Sequence, residues 1–134
     1  MFARLIAARK DEEGFTLIEL LVVIIIIGIL AAIAIPVFLN QRASAAKAAL
    51  TSDARNGAVA VETYFTENQQ YPADLAAVQA LNPSVSANNA VTTYANNNTS
   101  FTYCVEATGG AATGWSVTYD SAAGGTQAPD SNGC

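Results

Sequence analysis

With 134 residues, of which 51% are hydrophobic, eleven acidic residues against six basic ones and a formal net charge of −5, the chain has room for one modest domain. It has no clustered Lys or Arg to oppose nucleic acid phosphates. No His, no nucleophile with a plausible base, no phosphate-binding glycine loop and no cysteine pair at zinc spacing occur, so neither an enzyme nor a metal or other cofactor is expected.

The first element is a nearly continuous apolar run, residues 15–39. A secretory signal carries a shorter apolar stretch ahead of its cut site, so this run reads differently. As a helix it would extend about 37 Å, enough to cross a hydrocarbon core with some tilt. Arg4, Arg9 and Lys10 precede it and Arg42 and Lys47 follow, a bias too narrow for charge alone to set the orientation. Three residues separate the run from a plain anchor. Glu19 is an ionisable group just inside it, tolerable near a membrane surface, where the positive end of the helix dipole favours a carboxylate, and costly deeper. Gly28 and Pro36 weaken the helix, Pro36 by lacking an amide proton and crowding the carbonyl of Ala32. Both residue types also serve packing and kinks in membrane helices.

The stretch GFTLIELLVVIIIIGILAAIAIP, Gly14 to Pro36, resembles the signature of type IV pilins and their pseudopilin relatives. The resemblance implies a leader, residues 1–14, cut between Gly14 and Phe15 by a membrane-embedded prepilin peptidase that also methylates the new amino group of Phe15. It implies that the apolar run is kept as a polymerisation helix, with Glu19 pairing with the amino terminus of a neighbouring subunit. It further implies that the segment from Gly28 to Pro36 can lose helical structure in the filament. The leader departs from the usual net-positive pattern, its basic side chains being balanced by Asp11, Glu12 and Glu13.

Residues 40–134 read as a soluble head. To about residue 68 the chain is Ala-rich and helix-prone. Small or apolar residues recur at Ala43, Ala46, Leu50, Ala54, Gly57, Val61 and Tyr64, forming one stripe. Arg42, Lys47, Asp53, Arg55, Glu62 and Glu67 read as a solvated face. In the connection, residues 69–90, Pro72 can open a short helix through about Leu81, which Asn82 and Pro83 stop. Tyr71 reads as a staple onto the head. Strand-like runs follow at 91–95, 100–107 and 115–120, with Phe101, Tyr103, Val105 and then Trp115, Val117, Tyr119 on buried faces, and turns at 96–99 and 108–114. The expected class is α+β: a long N-terminal α-helix packed on a small antiparallel β-sheet.

The tail, residues 121–134, has little apolar content and would wander unless pinned. Cys104 and Cys134 are expected to form a disulfide rather than two free thiols, since an exported segment meets an oxidising compartment. That arrangement resembles the disulfide-bounded loop of many type IV pilins. Asp120, Asp130 and Asn132 could offer oxygen ligands to calcium, as in major type II secretion pseudopilins, but form no dense acidic loop. Asn97 and Asn98 fit the glycosylation acceptor pattern, for which an Asn-rich turn is the commoner explanation.

The resemblance implies a structural subunit, a major pilin, of a type IV pilus: a single-pass precursor with its head outside the cytoplasmic membrane, then an extracellular filament. Its expected partners are copies of itself, the prepilin peptidase/methyltransferase, the assembly platform and ATPase, and membrane lipid before assembly, with no general nucleic-acid binding. The alternatives are a pseudopilin of type II secretion or DNA uptake, and a membrane-tethered binding module that never polymerises. Adhesion, twitching motility and DNA uptake all use such subunits.

Overall fold

A computed structural model describes residues 14–81 and 83–134. The expected leader, with Arg4, Arg9, Lys10, Asp11, Glu12 and Glu13, lies outside the described residues except for Gly14. Asn82 lies outside them as well. The chain divides into two units, Met1–Phe38 and Leu39–Cys134.

Helix α1, Leu17–Asn68, contains Pro36 and is helical at Gly28 too. In the first unit every large apolar side chain of the run is exposed, from 45% at Leu21 to 82% at Phe15. In the second unit the same helix becomes one-sided, burying Leu50, Ala54, Gly57, Ala58 and Val61 at spacings of three and four. This is the stripe read from the sequence. It packs in one core with Val91, Phe101, Tyr103, Val105, Ala107, Ala112 and Val117 of the sheet and its turns.

The sheet is a four-stranded antiparallel meander in the order β1-β2-β3-β4. Its strands are β1 (Asn89–Asn96), β2 (Phe101–Ala107), β3 (Ser116–Asp120) and β4 (Gly125–Thr126). The three long strands match the expected runs to within two residues at each end, whereas β4 is too short to leave a periodic signal. The β1–β2 turn is held by Asn97, whose side-chain oxygen accepts from the amides and hydroxyls of both Thr99 and Ser100 at 2.8–3.1 Å.

Several expectations need correction. Helix α2, Leu75–Ala80, is opened not by Pro72 but by Asp74, whose carboxylate accepts from the Ala77 amide at 2.8 Å, an acceptor proline cannot offer. Cys104 and Ser116, which alternate with the residues expected on the buried faces, are themselves only 3% and 2% exposed. The tail covers them: Cys134 is bonded to Cys104, and Asp130 exchanges both backbone hydrogen bonds with Ser116, at 2.7 and 2.9 Å. The tail is thus pinned by the disulfide, by β4 and by that bridge together. Trp115 precedes β3 rather than starting it, and Lys47, read as solvated, holds its ammonium 3.1 Å from the Trp115 ring centroid. Tyr71 does act as a staple, stacked on Phe65 at 4.4 Å and tilted against Phe101 at 5.2 Å.

Asp53 is the largest departure. Read as solvated, it is buried, and its carboxylate accepts from the Ser86 amide at 3.0 Å, the Ser86 hydroxyl at 3.1 Å and the Asn89 side-chain amide. It ties the chain entering β1 to α1. Asp53→Ala would strand three donors beside the core and is expected to lower stability by about 2–3 kcal/mol, with Asp53→Asn costing less; urea titration of the full chain in detergent measures both.

Tyr103 is fully buried and its hydroxyl has no hydrogen-bond partner among the described residues. Burial, with the negative charge of Asp53 in second place, pushes its pKa up to about 12. Burial does the same at Tyr94, also to about 12. An unfolded tyrosine ionises near pH 10, so below that pH neither state gains by ionising. Between about 10 and 12 the unfolded chain releases a proton that the folded chain keeps, and stability falls as pH rises. Denaturant midpoints measured across that range should decline, and Tyr103→Phe should flatten the decline.

Candidate functional site

The candidate site is the start of α1, the segment from Gly14 to Glu19, in which Thr16 and Glu19 are in contact. Residues 14–16 are not helical, and the helix begins at Leu17. Thr16 takes the capping position with a reciprocal pair of contacts. Its hydroxyl accepts from the Glu19 amide at 3.3 Å, while the Glu19 carboxylate accepts from the Thr16 amide at 2.9 Å and from the Thr16 hydroxyl at 2.8 Å. The spacing Thr-x-x-Glu is that of a capping box, so otherwise unpaired amide groups at the helix start gain acceptors. The positive end of the helix dipole adds to the stabilisation of the carboxylate.

Both contacts from Thr16 fall on one carboxylate oxygen, Oε2. The other, Oε1, has no partner among the described residues, and the residue is exposed. A shallow apolar hollow formed by Phe15, Ile18, Val22 and Val23 lies beside Glu19. The geometry is therefore a positioned anion at the head of an apolar rod, with one oxygen ready for a cation. Thr16 was not singled out from the sequence, although a threonine three residues ahead of a glutamate at the mouth of an apolar run is a recognisable signal. Gly14 is exposed, with nothing within 4 Å of where a Cβ would stand. Gly28 and Pro36 lie along the same exposed face-all-round helix, distant in sequence from Glu19 and making no part of the cap.

Cys104 and Cys134 form their disulfide in the head, and Cys134 accepts a contact from the Thr92 hydroxyl at 3.0 Å. Among the described residues no three His, Cys, Asp or Glu side chains cluster as a metal set. The Asp120 carboxylate accepts from the amides of Ala122 and Ala123, and that of Asp130 from the amide of Asn132. The contact with Asn132 is the main influence holding the Asp130 carboxyl below its ordinary pKa. These two residues therefore close turns of the tail.

Residues 9–35 match the prokaryotic N-terminal methylation motif. The chain is similar to the type II secretion system core protein G of Pseudomonas aeruginosa, with 36% identity over 54% of this chain and 51% of the relative. It is similar to the type IV wide pilus major component PilA4 of Thermus thermophilus, with 40% identity over 54% of this chain and 55% of the relative. It also resembles the fimbrial protein EcpC of Eikenella corrodens, with 42% identity over 52% of this chain and 45% of the relative. The chain spans about half the length of the curated relatives it matches. Over about half of its length the chain is thus similar to type IV pilins and type II secretion pseudopilins, and its long N-terminal helix with a small antiparallel sheet is a pilin-like arrangement.

Proposed function

We propose that this protein is a filament subunit, a major pilin of a type IV pilus, which polymerises by packing its N-terminal helix among copies of itself. The observation that carries the reading is the capped carboxylate of Glu19 on a helix whose large apolar side chains, Leu17 through Leu39, are all exposed. Such a surface is stable only in lipid or against other apolar helices. The helix is long and apolar enough to cross a membrane.

In this reading the precursor spans the cytoplasmic membrane once with its head outside. Prepilin peptidase cuts between Gly14 and Phe15 and methylates Phe15, and an assembly platform with its ATPase then draws the helix from lipid into the filament. The new α-amino group, with an ordinary pKa of about 7.7–8.0, is largely cationic at neutral pH. The free oxygen of Glu19 suits that cation on a neighbouring subunit. Gly28 and Pro36 give the helix a weak segment that can adjust during assembly. The protein has a structural role, without catalysis and without a cofactor of its own.

A second reading, a pseudopilin of type II secretion, draws equal support from the similarity to core protein G. Shearing cells tests both. Recovery of this protein in long surface fibres, with its N-terminus at a methylated Phe15, supports the pilus; retention in the cell envelope with the same N-terminus supports the pseudopilus. Material that still begins at Met1 in such fibres would overturn the processing scheme.

A further inference from the structure

We propose that Asn132 is a site of spontaneous deamidation on the exposed tail, and that the fold shields the chemically equivalent Asn56 from the same reaction. The chain contains two Asn-Gly pairs, Asn56-Gly57 and Asn132-Gly133. Glycine after asparagine leaves the following backbone nitrogen unobstructed by a Cβ, so both pairs are intrinsically prone. Both asparagines are exposed, and what separates them is the backbone around the following glycine.

In the reaction the Gly133 amide loses its proton to base, and its nitrogen attacks Cγ of Asn132. The new C–N bond closes a five-membered succinimide as the Cγ–Nδ2 bond breaks, and Nδ2 leaves as ammonia after taking up a proton. Water then opens the ring at either carbonyl. One opening gives aspartate at position 132; the other gives isoaspartate, with the main chain running through the former side-chain carbon. The net change is asparagine plus water to acid plus ammonia.

At Asn132 no helix and no core contact opposes ring closure, and the one restraint on its side chain is a hydrogen bond to the exposed Asp130 carboxylate. Asn132 is exposed and sits in a bend, Gly133 has a φ of 77°, and the Gly133 amide has no acceptor among the described residues. Asp130 holds the backbone amide of Asn132 at 2.9 Å, which leaves the Gly133 nitrogen free. At Asn56 the pair lies inside α1, where helical bonding commits the Gly57 amide to the carbonyl four residues earlier. Gly57 is also buried against the Tyr103 ring. Ring closure there requires the helix to open and the core contact to break.

The product sits where it alters the surface and leaves the core alone. Conversion adds one negative charge to a chain of formal net charge −5. The isoaspartate form also inserts a carbon into the ring closed by the Cys104–Cys134 disulfide, between the Asp130 bridge to β3 and Cys134. The exposed tail of an ageing molecule therefore differs in charge and contour from that of a new one.

The test is incubation of the full-length oxidised protein in detergent at mildly alkaline pH, followed by digestion and mass spectrometry. Isoaspartyl methyltransferase with a labelled methyl donor reports the isoaspartate. A reduced, urea-unfolded sample runs in parallel. In the unfolded sample both asparagines should convert at similar rates. In the folded one Asn132 should convert roughly tenfold or more faster than Asn56, which reacts only from a locally opened helix. Asn132→Gln should remove the methyltransferase signal from the folded sample, and Gly133→Ala should slow it. Equal rates at the two sites in the folded protein, or an unchanged Asn132 over a period that converts both in urea, would overturn the proposal.

Discussion

Replacing Glu19 with alanine is expected to remove this protein from filaments while leaving it inserted in the membrane. In an assembled bundle the carboxylate would face the amino group of a neighbour in a dry, apolar interior. Removing one member of such a pair leaves the other charge buried alone, a loss of about 3–5 kcal/mol. That corresponds to a fall in incorporation of roughly two to four powers of ten. Membrane insertion moves the other way, because deleting a carboxylate near the apolar run lowers the cost of entering lipid. Glu19 also caps α1 through Thr16, so alanine alone conflates capping with charge. Glu19→Gln separates them, since its amide oxygen can accept the same two bonds from Thr16 but carries no charge. If charge pairing governs assembly, both variants fail in sheared-fibre yield; if capping governs it, the glutamine variant assembles. Fibre yields from Glu19→Ala equal to those of the unaltered protein would remove the basis for the proposed assembly step, and would favour a tethered module that never polymerises.

How much of this was legible beforehand varied with the physics involved. The spacing of Leu50, Ala54 and Val61 announced the buried stripe because a helix repeats its face every three or four residues. Alternation at Phe101, Tyr103 and Val105 announced β2 in the same way. Asp53 left no such trace. A carboxylate on a helix reads as solvated unless its partners are known, and Ser86 and Asn89 lie more than thirty residues further on. Lys47 was misread for the same reason, because only the fold brings Trp115 beneath it. Burial of Cys104 and Ser116 depended on where a Gly-rich tail with little apolar content would settle, and periodicity is silent about that. At the candidate site Gly14, Phe15 and Glu19 were named from the resemblance of the motif. Thr16 was not, although its role follows from capping geometry alone.

Gly57→Val is expected to be the most damaging single change in the head. A Cβ placed at residue 57 would overlap two ring carbons of Tyr103, Cζ and Cε1, and its hydroxyl oxygen. Glycine is there so that α1 can approach β2 at backbone distance, even though its helix propensity is worse than alanine's by about 1 kcal/mol. Alanine would recover that propensity and still have to displace the ring. Valine adds two further carbons, and the ring has no open side to move towards, being fully buried. Overpacking by a single group typically costs about 1–3 kcal/mol; valine here should cost about 4 kcal/mol or more, at the upper end for point substitutions. A double-mutant cycle with Tyr103→Leu tests the cause directly. Leucine at 103 alone leaves a void and destabilises, but it also makes room for the valine. The double variant should therefore be more stable than the sum of the single losses by at least about 1 kcal/mol. Strict additivity of the urea midpoints would place the cost of Gly57→Val in the helix backbone and away from the contact with Tyr103.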